Sequence, residues 1–189
     1  MIVLLLLLNL SYSVAAGYGW YTPNLDKLNS WLTLIPKDKI DPNFFLSIDG
    51  KINLGSFSLG TEISYSKDKS SDKSQSLQVM PIDITLSYKL RFCPALLSFY
   101  TLSGYEWCFV EFDGTSGRAT GMGRGIPVEA GVNFVAAPEV SIDFFIGYKF
   151  VKAGKLKLKG NGFLSAADES PMPIELSGSI FGFNLRREF

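Results

Sequence analysis

Apolar and polar residues alternate over eight segments of this chain, most of them bounded by Gly, Pro or runs of charged residues. A period of two puts successive side chains on opposite faces of a β-strand, so each segment is predicted to be a strand with one apolar face. Within residues 140–151, for example, Phe144 and Ile146 share one face, and Asp143 and Gly147 share the other. The eight predicted strands are residues 17–22, 44–54, 57–65, 77–90, 95–112, 125–136, 140–151 and 174–189.

The connections between these strands alternate in length. Those after the second, fourth and sixth strands are short, whereas those after the first, third, fifth and seventh are long and polar or rich in Gly. Short turns at one end and long loops at the other are typical of transmembrane barrels. We therefore predict an all-β fold, an eight-stranded antiparallel up-and-down transmembrane β-barrel with both termini periplasmic. Closure requires residues 17–22 to pair with residues 174–189.

The first long connection, residues 24–43, contains a helical pattern. Leu25, Leu28 and Leu32 recur three or four residues apart, between Asn24 as a candidate N-cap and Pro36 as a stop. This predicts a short amphipathic helix in the first long loop. Periodicity shows only that one face is apolar, so two interpretations stay open: a plug or lid over the barrel mouth, and a capping helix without a gating role.

The first sixteen residues resemble a secretory signal peptide. An apolar run over residues 2–8 is followed by small residues at Ala15 and Ala16, although Lys and Arg are missing before the run. The run is too short to span a bilayer core of about 30 Å as a helix. We predict a signal peptide at residues 1–16, cleaved after Ala15 or Ala16, and a barrel domain at residues 17–189.

Alternation alone does not say which face meets lipid, because a soluble barrel of the lipocalin kind alternates with its apolar face inward. Two features favour the membrane. The polar faces carry single charges among Gly and Ser, which suits a narrow lumen, and aromatic residues such as Tyr65, Tyr88 and Trp107 lie near strand ends, where interfacial girdles form. The apolar faces are therefore predicted to contact outer-membrane lipid.

Composition narrows the chemistry. Lys plus Arg and Asp plus Glu each number 18, so no basic surface for nucleic acid is indicated, and His is absent. Without His, a Ser–His or Asp–His catalytic arrangement is impossible, and no enzyme activity, cofactor or metal site is predicted. Cys93 and Cys108 are predicted to be free thiols, too far apart for a disulfide. The Gly-rich residues 114–125 precede a strand, which favours a flexible surface loop over a phosphate cradle.

The polar faces assemble a candidate site in the lumen. An eight-stranded barrel is about wide enough to be filled by its own side chains, and charges of both signs in a narrow lumen are expected to pair. A structural ion-pair network is one interpretation and an ion path is the other. The predicted lumen residues are Asp49, Lys51, Glu62, Asp83, Lys89, Glu106, Glu129, Asp143, Lys149 and Arg186.

Four stretches, residues 81–90, 125–134, 140–150 and 175–189, carry a resemblance to the small OmpA-, OmpX- and OmpW-like outer-membrane barrels of Gram-negative-type bacteria. The resemblance implies that the last strand, which ends in an aromatic residue, is recognised by the barrel-assembly machinery. Arg187 departs from the usual apolar residue and is expected to snorkel at the periplasmic interface. The implied assembly signal consists of Phe181, Phe183, Leu185 and Phe189.

Three functions remain compatible with these patterns. The first is a small outer-membrane barrel with a structural or surface-interaction role and a lumen filled by side chains. The second is a narrow channel or transporter for small or hydrophobic solutes, with the predicted helix as its lid. The third is a secreted soluble barrel that binds an apolar ligand. The sequence identifies no ligand for any of them.

Overall fold

Eight long strands form a closed antiparallel barrel in the computed structural model, which describes residues 10–34, 39–41, 44–93, 96–114, 117–160, 162–164 and 173–189. Each strand pairs with its neighbours in the chain, and the first pairs with the last. The predicted fold class is confirmed. The barrel strands are β1 Leu10–Pro23, β2 Phe44–Leu54, β3 Phe57–Ser70, β4 Ser76–Cys93, β5 Leu97–Gly114, β6 Gly117–Ala137, β7 Val140–Lys155 and β8 Gly178–Glu188.

The seam between β1 and β8 closes as the alternation requires. Gly17 lies opposite Asn184, and Trp20 lies opposite and stacks on Phe181, with ring centroids 5.2 Å apart. The first strand begins at Leu10 rather than at residue 17, so residues 10–16 also pair with β2, and residues 13–16 pair with β8. These seven residues overlap the predicted signal peptide, and the cleavage position stays a prediction.

Several strands continue beyond their predicted ends. The prediction of a flexible loop over residues 114–125 is wrong, because residues 117–125 belong to β6 and pair with β5 or β7. Strand pairing uses backbone groups and does not need an apolar face, so a polar, Gly-rich segment can extend a hairpin into solvent. Here Gly also makes room: a Cβ at Gly121 would lie 2.5 Å from the Leu156 side chain.

The outer surface of the barrel is apolar and its interior is polar. Ile48 and Ile146, near the middle of their strands, are 66% and 67% exposed, whereas Asp49 and Asp143, with their side chains on the opposite face, are each 3% exposed. An apolar belt of this extent requires lipid around it. The arrangement excludes the soluble alternative, which needs the apolar residues inside.

Helix α1, Asp26–Leu34, crosses the end of the barrel at which the long connections lie. The Asn24 side chain accepts a hydrogen bond from the Asp26 amide at 3.0 Å, as an N-cap does. Asn29 exchanges two hydrogen bonds, of 3.1 and 2.9 Å, with the backbone of Ile40, in a short strand paired with β3. The predicted helix is confirmed; Pro36 lies outside the described residues. No helix in the described part of the chain is long and apolar enough to cross a membrane.

Candidate functional site

The lumen holds four successive layers of inward-facing side chains. Their order can be followed along β7, which contributes Asp143, Phe145, Lys149 and Val151 from the periplasmic end upward. These four residues belong respectively to a lower ion-pair group, an aromatic layer, an upper ion-pair group and an apolar plug.

The lower ion-pair group consists of Arg186, Asp49 and Asp143. The Arg186 guanidinium donates two parallel hydrogen bonds to Asp49, at 2.7 and 2.8 Å, and a third from Nε to Asp143 at 2.8 Å. Strand β1 separates β8 from β2, and Ala15 is the residue opposite both Arg186 and Asp49, so Arg186 reaches over its methyl group. Ser13 and Asn133 complete the polar contacts of the group. A bidentate pair of this kind is among the strongest polar contacts in proteins.

An aromatic layer lies above the lower group and is made of Tyr21, Phe45, Tyr100, Leu102, Phe145 and Ile180. Glycines on neighbouring strands make room for the rings: a Cβ at Gly131 would lie 2.5 Å from the Tyr100 ring, and one at Gly19 would lie 2.8 Å from the Phe45 ring. The inward rings of Phe45 and Phe145 are not among the predicted lumen residues. Phe45 and Phe145 lie an even number of residues from Asp49 and Asp143 on the same strands, and this spacing is the signal that could have placed them on the lumen face.

The upper ion-pair group consists of Lys149, Asp83 and Glu106. The Lys149 ammonium lies 3.1 Å from an Asp83 oxygen and 3.0 Å from a Glu106 oxygen, and all three residues are at most 4% exposed. Asp83 and Glu106 are direct cross-strand neighbours on β4 and β5. One cation therefore holds two adjacent carboxylates that would otherwise repel each other.

Four carboxylates form a ladder across four adjacent strands. Asp49 lies opposite Glu62, Glu62 opposite Asp83, and Asp83 opposite Glu106. Arg186 forms an ion pair with the first of them, and Lys149 is shared between the last two. Among the described residues, neither Glu62 nor Glu129 has a cation within 4.0 Å.

The apolar plug fills the extracellular end of the lumen. Leu28 and Leu32 of α1 are 1% and 0% exposed and belong to one buried cluster with inward-facing residues of the strands, among them Val110 and Phe112. The Cys108 thiol is buried in the same cluster and forms no disulfide. The Tyr21 hydroxyl donates a hydrogen bond to the Leu176 carbonyl, which ties the barrel wall to the connection that leads into β8.

The ten predicted lumen residues thus fall into two sets. Six of them form the two ion-pair groups: Asp49, Asp143, Arg186, Asp83, Glu106 and Lys149. The other four, Lys51, Glu62, Lys89 and Glu129, face the lumen without an ion pair in the described part of the structure. Lys51 instead lies over the Tyr100 ring, 5.7 Å from its centroid.

The outward side chains of β8 and the residue after it match the proposed assembly signal in position. Phe181, Phe183, Leu185 and Phe189 are 45%, 43%, 55% and 64% exposed on the lipid-facing side. Arg187 also faces outward, 5.0 Å from the centroid of the Phe189 ring and 3.7 Å from Glu139. Recognition of these residues by an assembly machinery stays a prediction. No group of three or more Asp, Glu, Cys or His residues within the described ranges is arranged to hold a metal ion.

No protein-family model and no curated protein matches this chain. Among solved structures, Neisserial surface protein A matches with a TM-score of 0.59 at 13% identity, over 95% of this chain and 96% of that one. The N-terminal β-barrel domain of Pseudomonas aeruginosa OprF matches with 0.57 at 9% identity, over 96% and 98%. E. coli outer membrane protein W matches with 0.53 at 11% identity, over 95% and 97%.

These likenesses concern the fold. At such identities the chain shares the eight-stranded architecture of small bacterial outer-membrane barrels, and the resemblance noted in the sequence is confirmed at that level. The apolar outer surface independently requires a bilayer. The protein is therefore a membrane-spanning barrel of the outer-membrane type.

Proposed function

We propose that this protein is a closed, non-catalytic scaffold of the outer membrane, whose extracellular hairpins carry a surface-interaction role. The observation that supports it is the filled lumen. Two ion-pair groups and an aromatic layer occupy successive levels, and α1 seals the level above them. A barrel of eight strands has an interior just wide enough for such filling.

The position of α1 favours a plug over a movable lid. Leu28 and Leu32 of the helix, and Leu25 just before it, are buried among inward-facing apolar side chains. The backbone continues directly from β1, with the Asn24 amide donating to the Ser177 carbonyl at 2.8 Å. Opening the mouth would expose this apolar cluster to water, which costs about 25 cal/mol for each Å² exposed.

The shape of the extracellular end supports the surface role. The hairpin of β5 and β6 and the end of β7 extend past the apolar belt, where the outward residues become charged, as at Glu111, Arg118 and Lys152. Arg118 and Glu111 form an exposed ion pair on this hairpin. Loops and hairpins held by a rigid barrel are where binding functions concentrate.

Planar-bilayer recording of the refolded protein tests the proposal. We expect no current steps in the wild type. Leu28→Asp with Leu32→Asp places charges in the plug and is expected to produce intermittent current, whereas Lys27→Asp, on the exposed face of α1, is the control and should stay silent. Regular, discrete conductance steps in the wild type would favour the channel hypothesis and refute the closed scaffold.

A further inference from the structure

The periplasmic end of the lumen contains a cavity of about 120 Å³. We call it the vestibule; all eight barrel strands contribute to its lining, from Ser11 on β1 to Arg186 and Glu188 on β8. A second cavity of about 240 Å³ shares Lys89, Arg91, Asn133 and Glu188 with it. One water molecule needs only about 10–15 Å³. The vestibule therefore has room for an ion of several atoms.

Positive charge predominates in the vestibule. Its lining includes four cations, Lys51, Lys89, Arg91 and Arg186, and two carboxylates. Arg186 is shared between Asp143 and Asp49 in the lower ion-pair group, so that group keeps one net negative charge. The other three cations outnumber this charge and the one further lining carboxylate, Glu188. None of the three lies within 4.0 Å of a carboxylate in the described part of the chain.

Two of these cations are not simply extended into bulk solvent, whereas Arg91 is exposed at the periplasmic opening. Lys51 and Lys89 are half-buried on the inner faces of β2 and β4, and the Tyr100 ring lies beneath the Lys51 ammonium, 5.7 Å from it. The aromatic layer forms the floor, so the field of the cations is directed toward the periplasmic opening. Among the neutral lining residues, the Ser58 hydroxyl donates to the Asn53 side-chain oxygen at 2.8 Å, and the Asn53 amide nitrogen donates to the Ser11 hydroxyl at 3.2 Å. The second N–H of the Asn53 amide can donate to a ligand.

We propose that the vestibule binds a small oxyanion, a ligand with a phosphate or carboxylate group. Lys51 and Lys89 supply point charges, and the planar Arg91 guanidinium supplies paired donors that match an oxyanion. The ligand enters from the periplasm, because the aromatic layer and the plug close the other direction. The site goes beyond the scaffold role, and its existence does not depend on whether the barrel conducts.

This site can be tested by isothermal titration calorimetry, in which inorganic phosphate is added to the refolded protein at constant ionic strength. We expect saturable binding of one phosphate per chain in the wild type. Lys89→Gln with Arg91→Gln is expected to weaken binding about tenfold or more, since two attractive charges are lost. The control, Lys67→Gln with Lys69→Gln, removes the same charge from exposed positions on the extracellular part of β3 and should bind as the wild type does.

Retained heat-modifiable gel mobility would show that each variant is folded, and Lys51→Gln alone provides a milder change at the same site. A peptide with a free terminal carboxylate, compared with its amidated form, separates the two sources of the ligand chemistry. If only the peptide with the free carboxylate displaces phosphate, the carboxylate of a larger molecule can enter the vestibule. If neither peptide displaces phosphate, the ligand is a free oxyanion. Absence of saturable phosphate binding in the wild type, or equal affinity in the Lys89 and Arg91 variant, overturns the proposal.

Discussion

Replacement of Arg186 by Ala removes a cation that two buried carboxylates share. Arg186 makes three hydrogen bonds of 2.7 to 2.8 Å to Asp49 and Asp143, and all three residues are at most 5% exposed. Removal of one partner from a buried pair costs about 3–5 kcal/mol, because the other charge stays buried without compensation. With two carboxylates left, we expect a loss in the upper half of this range, about 4–5 kcal/mol.

The neighbouring residue on the same strand provides the control. Arg187 faces outward, its side chain is 62% exposed, and it lies 3.7 Å from Glu139. Exposed pairs contribute about 0–1 kcal/mol, so Arg187→Ala should change the unfolding free energy within that range. Both free energies can be measured by urea unfolding in lipid vesicles, followed by Trp fluorescence and by the mobility of unheated samples on a gel.

A combined variant separates the loss of a contact from the burial of unpaired charge. Arg186→Met with Asp49→Asn and Asp143→Asn removes all three charges, and we expect it to recover at least half of the loss seen with Arg186→Ala. If Arg186→Ala destabilised the barrel no more than Arg187→Ala does, the argument from buried ion pairs would be refuted, and the lumen charges would have to be solvated in the folded protein.

Two further changes test other layers of the lumen, and a third tests the seam between β1 and β8. Lys149→Met leaves two buried carboxylates unpaired and should lower the unfolding free energy by about 3–5 kcal/mol. Lys89→Met breaks no ion pair among the described residues and should cost no more than about 1 kcal/mol in the same urea assay. Equal effects of the two variants would contradict the assignment of these lysines to different layers. Gly131→Val places a Cβ 2.5 Å from an inward aromatic ring, and we expect the strain of overpacking to cost about 1–3 kcal/mol. Gly50→Ala, where a Cβ meets no atom within 4 Å, is its control and should be neutral or slightly stabilising when unfolding is followed by fluorescence. Deletion of residues 10–16 removes part of β1 and its pairing with β8, so the truncated chain should unfold at lower urea concentration than the full chain; an unchanged midpoint would show that this part of the seam contributes no stability.

The fold was predictable because two simple signals agree along most of the chain. The period of two identifies the strands and their faces, and the alternation of short and long connections indicates the direction of each strand. The ends of strands were harder to predict. Residues 117–125 continue β6 although they are rich in Gly, since pairing there depends on backbone groups and on inward space for residues such as Leu156.

Which residues face the lumen was predictable from the alternation along each strand, but which of them form ion pairs was not. Which inward residues share a level depends on strand tilt and register around the closed barrel, and neither is visible in one strand's sequence. Arg186 reaches Asp49 across an intervening strand because Ala15 between them is small. Lys89, in contrast, lies at a level with no carboxylate within 4.0 Å among the described residues, and this is why it lines the vestibule rather than an ion-pair group.

The ladder of carboxylates has a consequence for the order in which the barrel is assembled. Four of the six predicted lumen acids lie on β2 to β5, whereas the two buried cations, Lys149 and Arg186, lie on β7 and β8. A partly built sheet therefore carries like charges on adjacent strands, about 5 Å apart, before any neutralising partner has arrived. Charge neutralisation coincides with joining the last strands to the first, which favours completion of the cylinder over pairing of an open edge with another chain.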